Sequence, residues 1–141
     1  DDADIALAAD RGVGIVHCPE SNMKLGAGIA PVTRFLAAGL RVALGTDGCA
    51  SNNNLDLMSE MDTVAKLHKV NTLDPTVLDA ETVLGMATIE GARALGLANR
   101  IGSLEPGKDA DVILIDTRQP HRIGKFSDPC RRRLSAWVSV S

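Results

Sequence analysis

Aromatic residues are nearly missing from this chain of 141 residues: Phe35, Phe126 and Trp137 account for its 2% and tyrosine is absent. Without stacking platforms a single-stranded nucleic acid has little to grip. Positive charge is not in excess either, the formal net charge being -3. A nucleic-acid partner, which needs a concentrated Lys/Arg surface, is excluded on both counts. No apolar run approaches the ~20 residues that span a bilayer, and Asp1-Asp2-Ala3-Asp4 reverses the positive n-region of a secretory signal, so the expectation is a cytoplasmic protein with no membrane partner. Three cysteines, Cys18, Cys49 and Cys130, form no CxxC pair. An odd count without that spacing indicates neither a disulfide framework nor a thiolate zinc site. What remains is a chain 45% hydrophobic and 23% charged, the balance of one globular domain.

Charge is unevenly spread. Residues 1–117 hold 9 Lys/Arg against 17 Asp/Glu, whereas residues 118–141 hold 6 against the single acid Asp128. This atypical basic tail, with Arg131-Arg132-Arg133 and the sole Trp137, shows no clear period before Leu134–Val140 and is expected to be poorly ordered, a functional basic arm being the alternative. The front of the chain alternates helix and strand. A helix is expected over Asp4–Arg11, capped by Asp2 or Asp4 and stopped by Gly12. An apolar run follows at Val13–Cys18, then a polar loop, a helix over Pro31–Ala38 stopped by Gly39, and a second apolar run at Arg41–Leu44. Neither run alternates, as suits parallel strands covered on both faces. In parallel α/β folds strand C-termini converge on the ligand site, which places His17 and Asp47 at one mouth. Leu55, Met58, Met61, Val64 and Ala65 mark a long amphipathic helix after Asn52-Asn53-Asn54. One further helix is expected over Ala80–Leu95, opened by Asp79 and closed by Gly96, and a strand over Asp111–Asp116 after the turn Glu105–Asp109.

Asp47, in Gly45-Thr46-Asp47-Gly48-Cys49-Ala50-Ser51, sets a carboxylate at a strand's end, where it can bind a cation or move a proton; capping the next helix is the plainer reading. His17 can ligate a metal, bind substrate or simply fill the core. His68, on the long helix, reads as a packing or surface residue. Cys18 and Cys49 lack a positioned base that would make a nucleophile. Gly26-Ala27-Gly28 lacks the spacing of a phosphate-binding loop.

Three stretches carry a resemblance: VHCPESNMKLGAGIAPV (Val16–Val32), LGTDGCASNNNLDLMSEM (Leu44–Met61) and GSLEPGKDADVILID (Gly102–Asp116). In order and spacing they are similar to the C-terminal part of the amidohydrolase superfamily, within it the 5-methylthioadenosine/S-adenosylhomocysteine deaminase group and its guanine deaminase and triazine chlorohydrolase relatives. The resemblance covers residues 2–117. It implies an α/β fold: the C-terminal part of a (β/α)8 metal-dependent hydrolase barrel plus one strand of an accessory β-sandwich. Residues 1–100 would be the last βα units, with Gly14–Cys18 and Val42–Thr46 as the seventh and eighth barrel strands. Residues 101–117 would be a returning sandwich strand, and 118–141 the tail. The implied activity is hydrolytic deamination of an aminopurine nucleoside, a small aromatic amine. Asp47 would be metal ligand and proton carrier as well as substrate contact, Ser51 would approach substrate, and His17 would line or back the pocket. The implied cofactor is one divalent ion, zinc or else iron.

The family's HxH pair, its fifth-strand His and its catalytic Glu have no counterpart here, and a zinc site needs about three or four ligands. This piece alone is therefore expected to be inactive and not to retain the metal, the remaining barrel half coming from the same gene or a partner chain. A homo-oligomer is compatible with this. A non-catalytic structural subunit is the alternative from another class.

Overall fold

The computed structural model describes residues 1–115. The tail and its Trp137, His121 and Cys130 lie outside the described residues. Among the described residues six helices and two strands follow one another as α1 (Asp2–Asp10), β1 (Gly14–His17), α2 (Pro19–Leu25), α3 (Val32–Ala37), β2 (Arg41–Leu44), α4 (Leu57–Thr72), α5 (Ala80–Ala87) and α6 (Ile89–Ala94). Among these residues β1 and β2 are the sheet, parallel and in register from Gly14 opposite Arg41 to His17 opposite Leu44. The two unalternating apolar runs are thus parallel strands, joined by a helical crossover as parallel pairing requires.

Local chemistry explains the element ends. The cap of α1 is Asp1, whose carboxylate accepts from the Asp4 amide at 3.0 Å, not the expected Asp2 or Asp4. The expected polar loop after β1 is instead the helix α2, with Pro19 at its start and the left-handed Gly26 as its stop. Its seven residues are too few and too polar for a period to show. Asp79 opens α5 as expected, accepting from the Thr82 amide at 2.8 Å. The helix expected to reach Leu95 breaks at Thr88 (φ -132°, ψ -98°), whose hydroxyl donates to the Leu84 carbonyl, and α6 begins anew. Gly102, at φ +89°, crosses this junction so closely that a Cβ would lie 2.7 Å from Ala92 Cβ.

The strand expected over 111–116 is not formed at 111–115: Val112, Ile113 and Leu114 are exposed without a ladder partner, and Asp116 lies outside the described residues. A strand needs a neighbouring edge, and this segment pairs with neither β1 nor β2.

The core lies between the sheet and the helices, with Val42 and Leu44 packed on Val32, Val64, Leu78, Val83 and Met86. α4 presents Leu57, Glu60, Met61, Val64, Ala65 and His68 inward, a helical stripe in which two members are polar. Leu55 and Met58, expected on that face, are exposed. No helix among the described residues is long and apolar enough to cross a membrane.

Candidate active site

Backbone alternation sorts the strand-end side chains. Ile15, His17, Val42 and Leu44 face the helix layer, while Val16, Cys18 and Gly45 share the opposite face, where a Cβ on Gly45 would come 2.8 Å from Val16 Cγ1 and 3.2 Å from Cys18 Sγ. The Gly45 amide continues the ladder past β2 by donating to the His17 carbonyl at 3.0 Å. Two residues on, the chain turns left-handed at Asp47 (φ +61°), a conformation that Asp tolerates better than most residues.

Two hydroxyls fix that carboxylate. Ser51 Oγ donates to Asp47 Oδ2 at 2.6 Å and Ser21 Oγ, from α2, donates to the same oxygen at 2.8 Å. Oδ1 receives no side-chain donor among the described residues. Ser51, Ser21 and the Gly48 amide, in that order, hold the Asp47 carboxyl below the usual carboxylate range, so it is ionised at neutral pH. An ionised, oriented carboxylate with one oxygen clear of side-chain donors suits a cation ligand. It is one ligand, however: no group of three or more His, Cys, Asp or Glu positioned for a metal occurs among the described residues.

His17 ends at the same sheet edge, but its side chain is on the other side. It is 3% exposed, and its ring meets that of His68 edge-to-face with centroids 5.6 Å apart. Burial first, and the facing His68 second, lower the His17 pKa to about 4, so the ring is neutral. His68, expected as a packing or surface residue, is buried, and burial lowers its pKa too. Cys18 has its thiol pKa raised by burial and by the nearby carboxylates of Asp47 and Glu60, which leaves it an unreactive thiol.

Behind Asp47 lies a polar clamp that the motifs did not single out. Glu60 Oε2 accepts from the Glu20 amide at 3.1 Å and Glu60 Oε1 from Asn52 Nδ2 at 2.5 Å. Glu20 in turn accepts from Ser59 and Thr63 of α4. On the exposed side Lys24 Nζ donates to the Ala50 carbonyl and to Asn53 Oδ1. The only sequence signal for Glu60 is a carboxylate on a helical stripe that is otherwise apolar but for His68.

Comparison with known proteins now gives this geometry a context. The sequence model of the Amidohydrolase family matches residues 1–141. A 5-methylthioadenosine/S-adenosylhomocysteine deaminase of Syntrophobacter fumaroxidans is 63% identical over 90% of this chain and 29% of its own length. A 5'-deoxyadenosine deaminase of Methanosarcina mazei is 50% identical over 96% of this chain and 31% of its own. Among solved structures, an adenosine deaminase from Xanthomonas campestris with bound zinc superposes with a TM-score of 0.87 at 46% identity, over 96% of this chain and 31% of that one. The chain spans less than a third of the length of the curated relatives it matches.

Proposed function

The chain belongs to the amidohydrolase family, with its α/β metal-dependent hydrolase fold, and from that premise we propose that it is the C-terminal portion of an enzyme that hydrolytically deaminates an aminopurine nucleoside such as 5-methylthioadenosine, S-adenosylhomocysteine or a deoxyadenosine. The observation that carries this reading is Asp47: an ionised carboxylate beyond the C-terminal edge of a parallel strand, fixed through one oxygen by Ser21 and Ser51. In this reading residues 1–100 are the last βα units of a barrel, and 101–117 return to a β-sandwich domain built with the missing part.

Asp47 fits as one ligand of a divalent ion, zinc or else iron, with the other ligands supplied from outside residues 1–115. Such an ion supplies a Lewis acid that favours attack by water at neutral pH. The chain's own part is positional and protonic. The two serine hydroxyls keep Oδ2 in place, so the carboxylate meets ion and water in a single orientation. As the oriented, ionised carboxylate at this edge, Asp47 takes the proton from the attacking water and passes it to the amine that leaves. Ser51 stands beside substrate, and His17, enclosed with His68, backs the strand end that carries the loop.

Reading the coding sequence upstream of Asp1 is expected to reveal a frame bearing an HxH pair. The intact protein is expected to release ammonia from 5-methylthioadenosine, and Asp47→Asn to lower kcat by about 10²–10⁴-fold. An intact, metal-loaded protein without deaminase activity, or one indifferent to Asp47→Asn, would overturn the proposal.

A further inference from the structure

A buried carboxylate is expensive unless each oxygen is satisfied, and Glu60 is wholly buried on a helix face whose neighbours Leu57, Met61, Val64 and Ala65 are apolar. Both of its oxygens are used, and what they hold is informative. Oε2 takes the amide of Glu20, the residue before Ser21; Oε1 takes Nδ2 of Asn52, the residue after Ser51. Ser21 and Ser51 are the two hydroxyls that converge on Asp47 Oδ2, at 2.8 Å and 2.6 Å. One carboxylate thus anchors the neighbours of both residues that anchor the other.

The orientation of Asn52 leaves no slack in this arrangement. Its Oδ1 accepts from the Asn54 and Leu55 amides at 3.1 Å and 3.0 Å, which commits Nδ2 to Glu60. The Gly48 carbonyl accepts from the amides of both Ser51 and Asn52. The loop from Asp47 to Leu55 is therefore closed on itself and tied to α4 at a single side chain.

We infer that Glu60 is the positioning residue for Asp47, fixing from α4 the two serines that aim its carboxylate. This rests on the reading of Asp47 as the working carboxylate.

The test uses the intact protein carrying this segment. Glu60→Gln can keep only one of the two bonds: its NH2 must face either the Asn52 NH2 or the Glu20 amide, donor against donor, so one arm is broken. Combining it with Asn52→Asp restores every bond. The new amide on α4 then donates to the new carboxylate on the loop, whose other oxygen still accepts from the Asn54 and Leu55 amides, while the carbonyl oxygen of the new amide accepts from the Glu20 amide. Below the unfolding range, Glu60→Gln is expected to lower kcat by about 10–100-fold, the cost of a misplaced catalytic group, with KM and metal content within about twofold of wild type. The double variant should recover most of the loss. Amide hydrogen exchange at Glu20, or at Asn54 and Leu55, according to the arm that is lost, should quicken in Glu60→Gln and slow again in the pair, independently of any activity. If Glu60→Gln does not fold, Asn52→Ser cuts the loop arm and should give the same kcat loss. Wild-type kcat in these single variants, or exchange restored in the pair without restored kcat, would overturn the positioning role. If the variants show the exchange pattern but the wild-type protein has no deaminase activity, a different failure is identified, that of the functional reading on which the role rests.

Discussion

Asp47 owes its orientation to donors from two distances along the chain. Ser51 is four residues away, within one loop, while Ser21 arrives from α2, 26 residues away. Neither is read from the sequence as a donor to Asp47: Ser51 enters only as a substrate contact implied by the resemblance, and Ser21, like Glu60 and His68, depends on packing that brings separate helices together, which nothing local announces. Ser51→Ala removes one of the two hydroxyls that aim the Asp47 carboxylate, so kcat of the intact protein should fall by about 10-fold or more. His17 gives a pH dependence of definite sign. Its folded pKa, about 4, lies below the ordinary 6.5, so folding favours the neutral ring. That stability is fully present above pH 6.5 and is lost as the pH falls towards 4, by up to ~3 kcal/mol. The facing group is His68, itself shifted down by burial, so it adds to the same slope. Urea midpoints measured from pH 7 to 4.5 should fall in wild type and fall less when both histidines are leucine.

At the scale of elements, α4 shows why a correct helix can be read with the wrong face. Its apolar period was legible, but the inward stripe runs through Glu60 and His68, so hydrophobicity alone rotated the expected face towards Leu55 and Met58. The α5–α6 break was hidden for a related reason. Nothing in Ala80–Leu95 forbids one helix; Thr88 breaks it where Gly102 crosses the junction. Gly102 has two reasons to be glycine, a left-handed φ of +89° and the 2.7 Å approach of an added Cβ to Ala92 Cβ. Gly102→Ala should therefore destabilise by about 2–3 kcal/mol, read as a lower thermal midpoint, since the neighbour Ile89 Cα, 3.0 Å away, is backbone that cannot swing aside. Gly107, also left-handed (φ +92°) but with open space around its Cβ position, should lose less on the same change.

For the molecule as a whole, the parallel pair and its helical cover were legible because β1 and β2 are short unalternating apolar runs around a crossover. What those strands pair with beyond each other was not, since two strands carry no information about their missing neighbours except the surface left bare. Val16 states the problem most sharply. It sits mid-strand in β1, 56% exposed, on the face opposite the core, and β1 has a partner on one edge only among the described residues. Two paired strands are marginal in water, and a bare apolar edge invites pairing with another chain. The 141-residue chain alone is accordingly expected to self-associate in size-exclusion chromatography, and Val16→Lys to reduce that association by charging the exposed end of a face that α6 covers only over Gly14 and Ala43. In the intact protein the same residue would be covered by the rest of the fold, and burying an ammonium there costs several kcal/mol, so Val16→Lys should then destabilise. The sign of one substitution thus reports what covers β1: opposite effects in the two contexts support a completed sheet, while an equally harmless lysine in both would mean that this face meets solvent in the intact protein and that the barrel reading is wrong.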